Sequence, residues 1–305
     1  MANEKDIELS IIIANYNAKD MLFNCLESIY HHSPVRAFEV FVVDDASSDG
    51  SYEMVQENFP QVRALRNAQN VQYSKANNQA LKLVQGRYVY LLNNDTVILP
   101  NALDTMMNFL DQHLEVGAVG SRLLNGDRTI QASVKALPSI RSGLFGARSA
   151  ITKLFPRNHF SRQELLHLSH DTSKAFQAGY VSGASTMIRA KVIQQIGYLD
   201  ERMFYHVDAD YCKRIWEAGW EVYYLPDAEV IHFNHQGGSL INYKRRFKSI
   251  VEFHRGGYIY FRKHLMKPLW HPMYFIVIAG LGVRFIGSLM IQVLKEMRVL
   301  YKTSM

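Results

Sequence analysis

Three clusters of amide and carboxylate side chains each follow directly on an apolar run of the sequence. They are Asn15 with Asn17, Asp44 with Asp45, and the triplet Asn93, Asn94 and Asp95. A single polar cluster after an apolar run is ordinary loop composition. Three clusters, two of them with carboxylates, predict one site at the edge of a sheet, because open α/β sheets bind ligands at the carboxyl ends of their strands.

The carboxylates in these clusters suit a divalent cation and a nucleotide. Asp95 can hold Mn²⁺ or Mg²⁺ if phosphate oxygens and water supply the other ligands. Asp44 or Asp45 can accept a hydrogen bond from the imide N–H of a uracil or thymine ring. Both could instead cap the next helix, as Ser47, Ser48 or Asp49 could. The sequence has neither a Gly-x-Gly-x-x-Gly motif nor a P-loop, so it supports neither of those phosphate sites.

A later carboxylate suits proton transfer. Asp208 stands close to a predicted helix, where a carboxylate can take a proton from an attacking hydroxyl group or cap the helix. Asp210 lies two residues further on and could itself cap that helix. His232 ends an apolar run, where it can be a histidine of the core or of the surface, and His235 lies beyond that run.

Alternating strand and helix patterns must position these residues. Apolar runs predict strands at 9–14, 38–43, 62–65 and 88–92, and helical spacing predicts helices at 18–31 and 74–84. Asn17 is a reasonable N-cap for the first helix. Strands that alternate with helices of this length predict βαβ units, and therefore an α/β fold with a mainly parallel sheet.

The second half of the chain has weaker but similar patterns. We predict helices at 102–113, 190–196 and 209–218, and strands at 118–120, 181–189, 222–225 and 229–232. Residues 134–178 are expected to form loops with short helices. Gly219 is a natural residue to follow the end of the third of these helices, because glycine adopts the left-handed conformation needed there.

Several motifs in a fixed order resemble glycosyltransferase family 2, in particular its bacterial rhamnosyltransferase-like branch. The matching segments are 10–17, 42–51, 91–96, Gly183-Ala184, 199–205, 208–210 and Ile231-His232. The resemblance extends over roughly residues 7 to 264. It implies a GT-A fold and an inverting transfer from a nucleoside-diphosphate sugar, dTDP- or UDP-linked, with L-rhamnose from dTDP-rhamnose as the leading donor.

The resemblance also implies roles for particular residues. It assigns the metal to Asp95 and His232, the catalytic base to Asp208, and acceptor binding to Gly183, Ala184 and Asp210. The residues that it assigns to the nucleotide are Ala14, Asn15, Tyr16, Asp44, Asp45, Asn77, Asn93 and Asn94. Asn93-Asn94-Asp95 stands where the family has an Asp-x-Asp-type motif, which leaves one carboxylate for the metal. Val71-Gln72 replaces a glycine of the family.

The charge of the chain is unevenly distributed. The formal net charge is +6, yet residues 241–305 contain 12 Lys and Arg against two acids, so the first 240 residues carry about −4. We therefore divide the chain into a GT-A domain, 1–240, and a basic, apolar tail, 241–305. Within the GT-A domain, 1–100 is the nucleotide-binding half and 101–240 the acceptor-binding half. A basic tail indicates an anionic partner, and its apolar surroundings favour a membrane surface over nucleic acid.

The tail contains a long apolar stretch, residues 273–294, with a narrow polar stripe. Arg284, Ser288, Gln292 and Lys295 recur at helical spacing. An interfacial helix or helix pair fits this pattern better than a single span. The alternatives are a contact with another subunit in a homo-oligomer and a true membrane span.

The cysteines and the N-terminus predict where the protein works. Cys25 and Cys212 form no metal-type spacing, and residues 1–9 contain no apolar signal region. We expect a cytoplasmic protein that binds peripherally to the inner face of the cell membrane, where a lipid-linked or glycan acceptor is elongated. The competing functions are a metal-dependent nucleotidyltransferase and a non-catalytic, membrane-associated scaffold.

Overall fold

One mixed sheet forms the centre of the part of the chain that the computed structural model describes, residues 6–139, 154–155, 158–234, 243–265 and 272–303. Its strands, in the order in which they lie side by side, are β3-β2-β1-β4-β10-β6-β11-β5, and β8 pairs with β11. The strands are β1 Leu9–Asn15, β2 Phe38–Asp44, β3 Arg63–Arg66, β4 Tyr88–Asn93, β5 Thr96–Ile98, β6 Val116–Leu124, β7 Val134–Lys135, β8 Phe176–Gln177, β9 Tyr180–Val181, β10 Ser185–Arg189 and β11 Glu221–His232. Strands β7 and β9 form a separate antiparallel ribbon.

The first half of the sheet is parallel, as the sequence predicts. Strand β1 lies between β2 and β4, with Asn15 opposite Asp44 and Ala14 opposite Asn93. The side chains of Ile11, Ile12 and Ile13 are completely buried, because helices cover both faces of this part of the sheet and leave no solvent-facing side. The three polar clusters therefore meet at one edge. The predicted α/β fold with a mainly parallel central sheet is confirmed.

The second half of the sheet corrects two predicted strand boundaries. The segments 222–225 and 229–232 belong to one strand, β11, which shifts its register against β6 between Leu225 and Glu229. Such an irregularity lets a strand continue past a local break in its pattern. The predicted strand 181–189 is divided between β9 and β10, and β10 runs antiparallel between β4 and β6.

Helices cover both faces of the sheet. They are α1 Lys19–His31, α2 Ser51–Asn58, α3 Tyr73–Leu81, α4 Ala102–Gln112, α5 His159–Glu164, α6 Ala190–Ile196, α7 Val207–Glu217, α8 Tyr243–His264 and α9 Pro272–Thr303, with a 3₁₀ turn at Leu166–Leu168. Side chains of α1, α2 and α4 form the core on one face, and those of α3, α6 and α7 form the core on the other.

Several helix ends differ from the prediction, and α3 ends at Leu81 instead of residue 84. Asn17 does not cap α1; the N–H of Lys19 donates to Asp49 from the β2–α2 loop at 2.9 Å, and Asn17 accepts from the N–H of Ser48 at 2.8 Å. Helix α7 begins at Val207, two residues before the predicted start. Gly219 follows α7 with φ of 85°, the left-handed conformation that the sequence predicts.

The tail forms the predicted pair of helices. Tyr260 of α8 is buried in the core that α7 shares, and Phe261 packs against Val277 of α9. Arg284 of α9 lies over the ring of Phe253 on α8, 5.5 Å from its centroid. Among the described residues, no helix combines the length and the unbroken apolar character that crossing a bilayer requires.

Candidate functional site

The side chain of Asn15 connects the three strand ends. Its amide nitrogen donates to Asp44 Oδ1 at 3.2 Å and to Ser47 Oγ at 3.3 Å, and its oxygen accepts from Asn94 Nδ2 at 2.7 Å. Asn15 is only 1% exposed. Its hydrogen bonds hold the ends of β1, β2 and β4 in one plane, which is the convergence that the polar clusters predict.

The two aspartates after β2 hold loops in this structure. Asp44 accepts from the N–H of Ser47 at 3.1 Å. Asp45 accepts from Asn67 Nδ2 at 2.9 Å and from the N–H groups of Val71 and Gln72 at 2.8 and 2.9 Å. Both carboxylates are buried, so a hydrogen bond from a pyrimidine ring to either requires local movement of these loops. Neither caps α2, whose first N–H, at Ser51, donates to Asp49.

Gln72 occupies a backbone conformation that glycine normally takes. Its φ is 73° and its ψ is 165°, a region in which a side chain costs about 1–3 kcal/mol. The sequence departs from the family's glycine in this very segment, Val71-Gln72. The bond from the N–H of Gln72 to Asp45, together with the bond from the N–H of Ala76 to Gln72 O at 3.0 Å, holds the strained residue at the start of α3.

The two predicted metal ligands lie side by side. Strand pairing of β11 with β5 places His232 opposite Thr96. His232 Nε2 is 3.3 Å from Asp95 Oδ1, and both residues are less than 10% exposed. Two neighbouring ligands of an octahedral ion of Mg²⁺ size lie about 3 Å apart, so this spacing fits a shared cation.

Gln131 selects the tautomer of the His232 ring. The amide nitrogen of Gln131 donates to His232 O at 2.5 Å, which leaves its oxygen to accept from His232 Nδ1 at 3.0 Å. A proton on Nδ1 leaves the lone pair of Nε2 directed toward the Asp95 carboxylate. Two electron-rich atoms that face each other in a buried place suit a cation between them, and metal-bound histidines are commonly oriented by such a second partner.

The described residues offer only part of a metal shell. Among them, no group of three His, Cys, Asp or Glu side chains is arranged to bind a metal ion. Asp95 and His232 provide one carboxylate and one imidazole. Diphosphate oxygens and water are further hard donors that Mn²⁺ and Mg²⁺ accept.

Asp208 lies in the first turn of α7, beside the loop that precedes β10. A Cβ atom added to Gly183 would lie 3.6 Å from Asp208 Cβ and 3.5 Å from Tyr73 Oη, so this glycine leaves room beside the carboxylate. Tyr73 Oη donates to Gly183 O at 3.2 Å. The N–H of Ala209 donates to Asp208 Oδ1 at 2.9 Å.

The pKa of the Asp208 carboxyl is raised above its ordinary value. Burial is the main cause, and the positive charge of Lys135 and the N–H groups of Ala209 and Gly183 oppose it. Burial also raises the pKa of Tyr73, and the charge of Asp208 adds to that effect. A carboxylate with a raised pKa is a better proton acceptor, which suits a general base.

One short loop connects the two halves of the site. The N–H of Asn93, at the end of β4, donates to Ala184 O at 3.0 Å, while Gly183 adjoins Asp208. Gly183 and Ala184, two of the three acceptor residues that the resemblance assigns, therefore lie between the Asn93–Asp95 triplet and the candidate base. Ala14 and Tyr16 lie at the carboxyl end of β1, beside the same site, and Tyr16 is 41% exposed.

Two predicted site residues are enclosed by their own surroundings. Asp210 has no exposed surface; it pairs with Arg214 at 3.1 Å and with Lys263 and His264, each at 2.8 Å. It is therefore unavailable to an acceptor, contrary to the prediction from the sequence. Asn77 is 1% exposed, and its amide nitrogen donates to Tyr73 O within α3 at 2.8 Å, so its direct role is in the helix.

Several residues beside the candidate site had no signal in the sequence. Lys135 lies in the segment 134–178, which was predicted only as loops with short helices, while Gln131 lies in no predicted element and Tyr73 lies just before the predicted helix 74–84. Each of them reaches the site through a contact between distant parts of the chain. A polar residue before β7 and a single lysine have no local pattern that distinguishes them from surface residues.

Comparison with known proteins gives the family of the chain. The model of glycosyl transferase family 2 matches residues 10–197, which is more than half of the sequence. An N-acetylglucosaminyl-diphospho-decaprenol L-rhamnosyltransferase of Mycobacterium tuberculosis is 28% identical over 212 residues, 65% of this chain and 67% of that protein. The uncharacterized glycosyltransferase YibD of Escherichia coli is 26% identical over 255 residues, 80% of this chain and 69% of that protein.

Comparison with solved structures identifies the fold. The mannosyltransferase PcManGT from Pyrobaculum calidifontis, crystallised with GDP-Man and Mn²⁺, has a TM-score of 0.59 against this chain at 18% identity. The match covers 94% of this chain and 73% of that one. The fold is therefore the GT-A fold that the motifs imply, and the alternatives of a nucleotidyltransferase and a non-catalytic scaffold lose their support. The chain belongs to glycosyl transferase family 2, and it is a glycosyltransferase.

Proposed function

We propose that the enzyme transfers a sugar, with inversion, from a nucleoside-diphosphate donor to a hydroxyl group of a lipid-linked or growing glycan acceptor. The observation that carries this proposal is the arrangement of Asp95 and His232 at the strand ends, joined through the Gly183-Ala184 loop to the half-buried carboxylate of Asp208. The Asp95 end of this arrangement can receive a diphosphate, and Asp208 at the other end can act as a base.

The donor diphosphate is expected at the Asp95 end of the site. Asp95 and His232 would hold a divalent cation there, Mn²⁺ or Mg²⁺, which when bound offsets the negative charge of the leaving diphosphate. Ala14, Tyr16, Asn93 and Asn94 border the nucleotide. Asn15, Asp44 and Asp45 contribute chiefly by fixing the loops around it, since these side chains are buried in one another's hydrogen bonds.

Asp208 is proposed as the catalytic base. The acceptor hydroxyl gives its proton to the carboxylate while its oxygen forms a bond to the anomeric carbon. The bond from that carbon to the diphosphate oxygen breaks on the opposite side, and the nucleoside diphosphate leaves with the electron pair. In-line attack of this kind inverts the configuration and needs one base positioned near the acceptor.

The donor sugar is proposed as L-rhamnose on dTDP. The support is the motif resemblance and the rhamnosyltransferase of Mycobacterium tuberculosis, whose name also describes an acceptor linked to a polyprenyl diphosphate. We propose the same acceptor class here, within cell-surface polysaccharide synthesis. A polyprenyl acceptor is held in a lipid bilayer, so the enzyme would work as a peripheral protein on the cytoplasmic face of the cell membrane.

The exposed face of α9 supports contact with a membrane. Large apolar side chains on this face are 44–72% exposed, at Phe275 and then every three or four residues at Val283, Ile286, Met290 and Val293. This set is the apolar stripe of α9. The exposed Lys248 and Arg255 on α8 add positive charge to the same helix pair, and apolar residues beside cations are typical of helices that lie in the interface of an anionic bilayer.

The experiment that tests the reaction measures donor binding and turnover separately, because the two ends of the site are proposed to serve different steps. Purified protein is assayed for dTDP binding by calorimetry with Mn²⁺, and for turnover of dTDP-rhamnose with a polyprenyl-diphosphate acceptor. Asp95→Ala should lose Mn²⁺-dependent dTDP binding, while Asp208→Asn should keep it and lose turnover by about 10³-fold. Gln131→Leu should weaken Mn²⁺ binding by about tenfold.

Matched controls make the result decisive. Asp104, on the exposed side of α4, provides an aspartate outside the site, and Asp104→Asn should change neither property. Binding of UDP but not dTDP would overturn the proposed donor and keep the reaction. Unchanged turnover in Asp208→Asn would overturn the assignment of the base.

A further inference from the structure

Helix α8 packs on the segment that leads into the catalytic helix. Residues 199–205, one of the motifs of the sequence, precede α7 and contribute no side chain to the proposed reaction. Lys263 near the end of α8 contacts Asp200 at 3.2 Å and Asp210 at 2.8 Å. Ser249, in the second turn of α8, lies 2.5 Å from Tyr205, hydroxyl oxygen to hydroxyl oxygen.

The closest approach between the two elements is made at a glycine. A Cβ atom added to Gly256 would lie 2.3 Å from the carbonyl oxygen of Tyr205, a distance that real Cβ atoms essentially never show. The obstacle is backbone, which cannot rotate away as a side chain can. Only glycine therefore allows α8 to lie this close to the chain just before Asp208. At the adjacent Gly257, the nearest atom would be His206 Nε2 at 3.5 Å, an ordinary contact.

The same segment is fixed from its other side by α3. Ser74 Oγ donates to Met203 O at 2.7 Å. Asn78 Nδ2 donates to Leu199 O at 2.9 Å, and Asn78 Oδ1 accepts from the N–H of Leu199 at 3.0 Å. The segment is thus held between α3, which borders the nucleotide half, and α8, which belongs to the tail.

Ion pairs also hold α8 against α7. Asp210, two residues after Asp208, is completely buried and meets both Lys263 and His264 of α8. Breaking a buried ion pair is costly because one charge is left without compensation. A displacement of α8 would therefore move the first turn of α7, and Asp208 lies in that turn.

We propose that α8 is a positioning element for the catalytic base, with Gly256 and Lys263 as positioning residues that fix Asp208 relative to the acceptor. This inference rests on the proposed role of Asp208. The tail then contributes to catalysis by holding Asp208 in position. The 199–205 motif provides the surface on which α8 packs. A partner bound to α9 can also influence the base, because α9 packs on α8.

Two adjacent glycines provide a matched test. Gly256→Ala and Gly257→Ala make the same chemical change in the same helix, but only the first places a Cβ against backbone. We expect Gly256→Ala to lower kcat by about 100-fold, as small misplacements of catalytic groups do. The Kd for dTDP with Mn²⁺ should stay within about twofold, because the nucleotide end lies on other elements. Gly257→Ala should leave both properties unchanged.

A second pair of variants covers the case in which Gly256→Ala does not fold. Lys263→Met keeps the length of the side chain and removes its charge, while Arg202 and Arg214 still compensate Asp200 and Asp210. It should lower kcat with little change in dTDP affinity, and Lys174→Met, in an exposed pair with Asp171, should do neither.

The outcomes are distinguishable. If Asp208→Asn abolishes turnover but Gly256→Ala and Lys263→Met retain wild-type kcat, the role of α8 is wrong and the base assignment stands. If Asp208→Asn itself retains turnover, the proposed function fails first. A parallel loss of kcat and dTDP affinity in both variants would indicate general destabilisation and would also overturn the proposal.

Discussion

At the scale of single residues, the environment of Asp208 decides how the enzyme should respond to pH. Burial raises the pKa of this carboxyl, and Lys135 is the charged side chain that opposes the increase. Lys135 Nζ also lies 5.5 Å from the centroid of the Tyr180 ring, and the charge of Asp208 contributes to the raised pKa of Tyr180. Base, cation and phenol thus form one electrostatic group.

The raised pKa of Asp208 predicts how kcat should fall at acidic pH, on the acidic limb of a plot of kcat against pH. A general base works only when ionised, so kcat should fall as pH decreases through the raised pKa of Asp208, above the ordinary aspartate value of about 3.9. Lys135→Met removes a charge that stabilises the carboxylate, so the limb should move to higher pH by about one unit. Measuring kcat against pH with saturating donor tests this shift.

Lys135→Arg is the control for that experiment, because it keeps the positive charge near Asp208. Its acidic limb should stay close to that of the wild type. A limb that moves to lower pH in Lys135→Met would contradict the proposed interaction between Lys135 and the base.

Burial also determines the chemistry of the two cysteines. It raises the pKa of the Cys25 and Cys212 thiols to about 12 each. Both thiols therefore stay protonated at neutral pH and behave as small apolar side chains of the core. Their burial agrees with the sequence, which provides no spacing for a disulfide framework or a zinc site.

At the scale of elements, the loop before α3 stores backbone strain at Gln72. The left-handed φ of 73° is maintained by Asp45, whose carboxylate accepts from two successive N–H groups of the loop. Strain of this kind persists only where the surroundings fix the residue. Asp45 is therefore the residue that shapes this border of the proposed nucleotide site.

Replacing Gln72 by glycine should stabilise the protein. Relief of strain of about 1–3 kcal/mol outweighs the extra chain entropy of glycine, about 0.5–1 kcal/mol. We expect the free energy of unfolding to rise by about 1 kcal/mol, measured by urea denaturation. Val71→Gly, at a residue whose φ is not positive, should lower it instead. Equal losses in the two variants would show that position 72 carries no strain.

At the scale of the whole molecule, the two tail helices present an apolar surface that no described part of the chain covers. The sequence predicts a polar stripe on α9, and the structure turns the Arg284 part of that stripe toward Phe253 of α8. The apolar stripe of α9 consequently faces outward. A partner protein of identical sequence would bring together two tails that each carry +10, so charge favours an anionic lipid surface over a homo-oligomer.

Substitution in the apolar stripe tests this preference. Ile286→Glu with Met290→Glu should weaken binding to vesicles that contain phosphatidylglycerol by about 100-fold, because two apolar side chains that would enter the bilayer become charged. Sedimentation with the vesicles measures the bound fraction. Vesicles of phosphatidylcholine alone should bind the wild type more weakly, since they offer no negative charge to α8.

Leu114→Glu is the matched control, because Leu114 is 73% exposed on the body of the protein. It should not affect vesicle binding. The membrane proposal is wrong if the double variant sediments with vesicles as the wild type does. It is also wrong if the double variant instead dissociates an oligomer in analytical ultracentrifugation, because the stripe then contacts another subunit.

The sequence by itself determined the α/β fold, the parallel pairing of the first strands and the convergence of three polar clusters. These features follow from local patterns: apolar runs that must be buried on both faces, and polar residues where each strand ends. For the same reason, Asn15 and Asp95 could be predicted from the sequence, while His232 came from the family motifs. The family motifs added Asp208, whose position at the start of a helix has no local meaning beyond capping.

Only the tertiary structure decided which residues support these groups. Gln131 and His232 are 101 positions apart, and the charged cluster around Asp210 draws on α8, more than fifty positions later. Contacts of this separation depend on how β11 and α8 cross the earlier elements, which no periodicity records. Asp210 looks identical to Asp208 in the sequence, yet one faces the site and the other is buried among cations, because successive residues of a helix point in different directions.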